Sequence, residues 1–135
     1  MKRAMLLLAM MAVTLVSASG IALAATILGT DKDETLIGTR YADLVVANGG
    51  ADGVRGNGGS DQLYGNTGRD RIRGGFGEDH LYGGGGDDTI FSGDIFSQSG
   101  AYRDVVDCGP GDDFASVDFR DRVQENCELV GVATP

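Results

Sequence analysis

Seven acidic side chains recur every nine residues: Glu34, Asp43, Asp52, Asp61, Asp70, Asp79 and Asp88. Two places ahead of the last five stand glycines, Gly50, Gly59, Gly68, Gly77 and Gly86. A carboxylate beside residues free to turn their carbonyls toward a common point is a set of oxygen donors, suited to a hard cation. Ca²⁺ accepts about six to eight oxygens in flexible geometry, whereas Mg²⁺ requires a small octahedron and keeps its water, so the pattern favours Ca²⁺. Zinc would need nitrogen or sulfur, and only His80 and two distant cysteines offer either. His80 is the sole imidazole. It falls where a strand side chain should face outward, so it is expected to be a surface residue and no catalytic residue is assigned. The glycine-rich turns lack the G-K-[ST] ending that gives a phosphate loop its lysine, and their carboxylates would repel phosphate.

Holding such donors at fixed spacing requires a repeated element. From Gly29 to Phe91 the chain divides without gaps into seven nonapeptides: GTDKDETLI, GTRYADLVV, ANGGADGVR, GNGGSDQLY, GNTGRDRIR, GGFGEDHLY and GGGGDDTIF. Position six is always acidic and position eight always aliphatic, the latter being Leu36, Val45, Val54, Leu63, Ile72, Leu81 and Ile90. Acids at this density would fill one phase seven times by chance with a probability of about 10⁻⁵. In each unit the glycines and the acid form a turn, and the three residues that follow form a strand whose middle side chain points inward. Two units make a coil of 18 residues, so strands 18 apart stack into two small parallel sheets, back to back. Leu36, Val54, Ile72 and Ile90 should line one inner face, and Val45, Leu63 and Leu81 the other. Asp52, Asp70 and Asp88 then share one edge of the stack, and Asp43, Asp61 and Asp79 share the opposite edge. Stacked carboxylates repel unless something positive lies between them.

Composition agrees with an all-β chain. Of 135 residues 23 are Gly, 2 are Pro and none is Trp. Gly at that density disfavours a helical bundle, and without a three-residue period it excludes collagen. Met1-Lys2-Arg3, an apolar stretch from Ala4 to Val16, and Ala22-Leu23-Ala24 have the form of a secretory signal peptide, residues 1–24, with cleavage expected after Ala24. The exported chain, residues 25–135, would lose Lys2 and Arg3 and keep 9 basic against 20 acidic residues, a net charge of −11. Such a chain attracts cations and repels nucleic acid and anionic membrane, so neither is expected as a partner. Disulfides persist outside the cell, and with two cysteines no spare thiol remains if Cys108 and Cys127 pair.

At these nonapeptides the chain resembles the RTX family, the haemolysin-type calcium-binding repeats, whose pattern is G-G-x-G-x-D-x-U-x. The resemblance covers residues 29–91. It implies a right-handed parallel β-roll, a β-solenoid that is disordered without calcium and folds when it meets the extracellular ion. Carried over, the ligands are the acids Asp43, Asp52, Asp61, Asp70, Asp79 and Asp88 with the turn carbonyls of Gly50, Gly59, Gly68, Gly77 and Gly86. Lys32, Tyr41 and Glu34 depart from the pattern. Residues 25–46 are therefore expected to be an N-terminal cap with degenerate repeats, and residues 47–91 the calcium-binding repeats. Residues 92–98 read as an inserted surface loop. Over 99–135 the phase resumes in degenerate repeats and a C-terminal cap, with Asp104 and Asp113 as weaker ligand candidates. There a Cys108–Cys127 bond would pin the open end of the roll.

Many RTX proteins resemble substrates exported by a C-terminal signal and carry a large catalytic or pore-forming region. Here the expected leader is N-terminal, and the repeats leave no room for such a domain. The reading is a small secreted calcium-binding protein without catalytic activity. Its alternatives are a calcium-dependent surface adhesin or glycan-binding module, and an accessory piece of an extracellular enzyme or toxin system. Tyr64 and Tyr82, 18 apart, should be neighbours on one outer face, as cross-strand stacking or as a small sugar platform. Arg55 and Arg73 should be neighbours on the other, where they read as a solvated surface. A cell-surface or glycan partner is left open.

Overall fold

The computed structural model describes residues 12–15, 24–92 and 102–132. Most of the expected leader and residues 93–98 of the expected loop lie outside the described residues. Thirteen strands and no helix are found among those described. They are β1 (Ala12–Leu15), β2 (Ala25–Leu28), β3 (Thr35–Ile37), β4 (Leu44–Val46), β5 (Gly53–Gly58), β6 (Gln62–Thr67) and β7 (Arg71–Phe76). They continue as β8 (His80–Gly85), β9 (Thr89–Phe91), β10 (Val105–Asp107), β11 (Phe114–Val117), β12 (Arg122–Val123) and β13 (Leu129–Val132).

The strands form a parallel β-solenoid of about five turns. One sheet runs β1-β2-β4-β6-β8-β10-β12, the other β13-β11-β9-β7-β5-β3. Skipping every second strand is what a two-unit coil requires. The register is 18 residues through the repeats, as in Leu36 opposite Val54 and Leu63 opposite Leu81. It lengthens to 25 across the insertion, where Leu81 faces Val106 and Ile90 faces Ala115. It shortens to 17 between Val106 and Val123. Only β1, which lies within the expected leader, departs from the parallel pattern, pairing antiparallel with β2.

The core is one column of aliphatic side chains from each sheet. Leu36, Val54, Ile72, Ile90 and Ala115 meet Ile27, Val45, Leu63, Leu81 and Val106, all buried. Strands such as Thr35–Ile37 alternate exposed, buried, exposed, because one inward side chain per strand fills the narrow interior. Cys108 and Cys127 form the expected disulfide. Ser92, placed by sequence at the start of a surface loop, is instead fully buried. Its N–H donates to Ser116 O and its hydroxyl to Asp121, so it occupies the first position of the next unit.

Candidate metal centre

Every position-six acid from Asp43 to Asp113 turns inward and is buried. One oxygen of each carboxylate has a defined task. Asp61 Oδ1 accepts the N–H of Asp43, Asp79 Oδ1 that of Asp61, and Asp104 Oδ1 that of Asp79. On the opposite edge Asp52, Asp70, Asp88 and Asp113 accept the N–H groups of Glu34, Asp52, Asp70 and Asp88 in turn. Each edge thus carries an unbroken ladder in which an acid's backbone binds the carboxylate of the next coil, at 2.8 to 2.9 Å. Asp52, Asp70 and Asp88 do share one edge and Asp43, Asp61 and Asp79 the other.

The second oxygen separates the ends of the ladders from their middle. In the first two units it is satisfied locally, since Thr30 N–H donates to Glu34 Oε2 and Thr39 N–H and Oγ1 to Asp43 Oδ2. At the far end Asp121 Oδ2 accepts from Ser92 Oγ and Asp118 N–H. Between them the second oxygens of Asp52, Asp61, Asp70, Asp88 and Asp113 are buried and accept no hydrogen bond. A buried polar atom without a partner is costly, so four along one edge and that of Asp61 on the other call for a ligand.

The orphaned oxygens of Asp61, Asp70 and Asp88 lie against the position-one glycines, whereas the units of Asp52 and Asp113 carry Ala47 and Cys108 there. A β-carbon on Gly65 would fall 2.4 Å from Asp70 Oδ2 and 2.5 Å from Gly83 O. On Gly83 it would fall 2.6 Å from Asp88 Oδ2 and 2.4 Å from Cys108 O. Gly56 repeats the arrangement on the other edge, with Asp61 Oδ2 and Gly74 O. A carboxylate oxygen and a carbonyl oxygen from successive coils therefore both crowd the place that a β-carbon would take. The position-four glycines play a different part. Gly59, Gly68, Gly77 and Gly86 all have positive φ, and the carbonyl of each coil's glycine points at the α-carbon of the next, as Gly59 O does toward Gly77.

Sequence reasoning placed the turn carbonyls at position four and did not single out position one, whose glycines lie against the carboxylates of Asp61, Asp70 and Asp88. It also missed position two, where Asn48, Asn57 and Asn66 adopt positive φ near 80°. The side-chain amides of Asn48 and Asn57 donate to the carbonyls of Gly29 and Gly38 one coil back. The signal was present: Thr occupies position two in the self-satisfied units, and Asn or Gly in the next five.

Burial raises the carboxyls of Asp52, Asp70 and Asp113 above the ordinary range; the accepted backbone hydrogen bonds oppose the rise, and repulsion from neighbouring acids adds to it. The same causes take Asp61 to about 6 and Asp88 to about 7. Without a cation the fold holds these groups where they resist ionising. No group of three or more His, Cys, Asp and Glu gathers among the described residues. A site with so few carboxylates would need carbonyls and water to complete a shell, a donor set that would suit Ca²⁺ rather than Zn²⁺.

His80 stands on the outer face of β8, exposed beside Tyr82. Tyr64 and Tyr82 stack face to face, centroids 4.5 Å apart. A family model described as RTX calcium-binding nonapeptide repeat (4 copies) matches residues 28–63 and again 64–94. Comparison with curated proteins and with solved structures gives no match.

Proposed function

Residues 28–94 are repeats of the RTX calcium-binding nonapeptide family, and from that premise we propose that the protein is a secreted, non-catalytic calcium-binding β-roll whose folding is driven by the ion. The orphaned second oxygens of Asp52, Asp61, Asp70, Asp88 and Asp113 carry this reading. Bound Ca²⁺ would supply positive charge to these oxygens and to the position-one carbonyls. The chain's own part is to order the donors. The backbone N–H of one acid fixes the carboxylate of the next coil, and the position-one glycine keeps the space beside it open. An ion shared by two coils ties their turns together, so sites along one edge should fill cooperatively. Export rests on the basic start, apolar stretch and small-residue site of residues 1–24. The non-catalytic reading rests on the exposed position of the sole imidazole.

The test is a calcium titration of the processed chain, residues 25–135, by far-ultraviolet circular dichroism and size exclusion. Strand signal and compaction should rise together and sigmoidally with calcium. A chain fully folded and compact in excess chelator would sink the proposal.

A further inference from the structure

The outer face of the second sheet carries three arginines without an ion-pair partner among the described residues. Arg55 on β5 and Arg73 on β7 stand directly opposite one another, and Arg71 projects from the same face of β7. All three are exposed, and none has a carboxylate within ion-pair distance among the described residues, whereas Arg69 at the turn pairs with Asp87 at 3.0 Å. Like charges directly opposite in a sheet destabilise it, so the pair works against the fold that displays it.

Beside them the side-chain layer has a hole. Gly53 lies between Thr35 and Arg71 across the sheet. Its φ is outside the left-handed region, and a β-carbon there would meet nothing nearer than Thr35 Oγ1 at 3.7 Å. Unlike the turn glycines, Gly53 is required by neither backbone nor packing. Its missing side chain floors a hollow of about 340 Å³ walled by Thr35, Arg55, Arg71, Arg73 and Phe91. The Arg71 guanidinium lies 5.2 Å from the centre of the Phe91 ring, which holds it at the rim.

We propose that this hollow binds an acidic polysaccharide, with its sulfate or carboxylate groups on Arg55, Arg71 and Arg73 and a sugar ring over Gly53. Guanidinium forks match such oxyanions two-pronged, and three of them across two adjacent strands suit a ligand with several charges. The volume is that of a small ligand site, and a threonine hydroxyl and an aromatic ring suit a sugar's mixed surface. The assignment rests on the calcium reading in one respect: the calcium-free chain, at net −9, would repel a polyanion, and bound calcium removes that charge.

The test uses the full chain in saturating calcium, with folding followed by circular dichroism and binding by isothermal titration. Dextran sulfate and short oligogalacturonides probe the sulfate and carboxylate sources, and neutral dextran is the control. The folded chain should bind at least one polyanion and ignore neutral dextran. Arg55→Gln with Arg73→Gln should weaken binding about tenfold or more, from the lost charged hydrogen bonds. Gly53→Leu should weaken it by filling the hollow, while Tyr82→Ser on the opposite face binds as the parent does. A chain folded in calcium that binds neither polyanion overturns the proposal and leaves the calcium reading intact. So does unchanged binding by the arginine and Gly53 variants while their folding is normal. A chain that stays unfolded in calcium overturns both.

Discussion

Each inner acid divides its two oxygens between fold and ligand, and replacing it affects both. Asp70 Oδ1 holds the Asp52 N–H, while Oδ2 lies against Gly65 without a hydrogen-bond donor. Asp70→Asn should raise the calcium midpoint about tenfold or more, by removing a charge that serves two coils. His80→Gln should leave it unchanged, and equal effects in a calcium titration would refute the site assignment. Two glycines make a sharper pair. Gly65→Ala places a methyl 2.4 Å from Asp70 Oδ2 and should cost about 2–3 kcal/mol by overpacking. Gly53→Ala, with its nearest neighbour at 3.7 Å, should be near neutral, as denaturant unfolding in calcium would measure. Acid should partly replace the metal. Because Asp61 and Asp88 titrate near 6 and 7 in the fold but at about 3.8 when unfolded, the metal-free roll binds protons on folding. That stabilisation is fully present below about pH 4 and is lost as pH rises through about 6 to 7. In chelator, strand signal should therefore be greater near pH 4.5 than at pH 7.5.

At the scale of the coil, the ends of the roll differ from its middle by what satisfies the acids. Threonine at position two lets the first two turns close on themselves, its N–H donating to Glu34 or Asp43. At the other end the closing devices are Asp121 and the Cys108–Cys127 bond, which spans 19 residues. A loop of that size contributes roughly 3 kcal/mol by limiting the unfolded chain. Replacing both cysteines by serine should speed hydrogen exchange in β10 to β13 before β5 to β8, in saturating calcium. Uniform exchange across all coils would show that the bond does not act as a local clasp. The buried Ser92 belongs to this scale as well. Serine at position one looked like the start of an insertion because the glycine pattern had stopped, yet its hydroxyl takes up the carboxylate of Asp121.

For the molecule as a whole, charge is the term that calcium changes. A net −9 on the chain would be brought near neutrality by about four or five ions, each adding two charges. Compaction and strand formation should therefore occur in one transition, with a Hill coefficient above one. Mg²⁺ at the same concentration should not produce it, because that ion keeps its water and demands tighter geometry than two flexible turns supply. Size exclusion in each ion checks this directly.

The nine-residue grid alone determined the two-sheet roll, its 18-residue register and both inner columns. These follow because one inward aliphatic per strand and one turn per unit leave the backbone no other repeating path. The seven-residue slip after Phe91 was likewise readable, since Leu81 meets Val106 only if seven residues loop out. Which atoms of each turn face the ion was decided by tertiary structure alone. Asp70 Oδ1 is taken by a backbone N–H 18 residues away, and Gly83 O arrives from the coil on the other side. Both contacts exist only when three coils are stacked, so no single nonapeptide could reveal them. The arginine hollow is decided in the same way: Gly53 takes a strand position in its nonapeptide, and only the register sets it between Thr35 and Arg71 on an outer face.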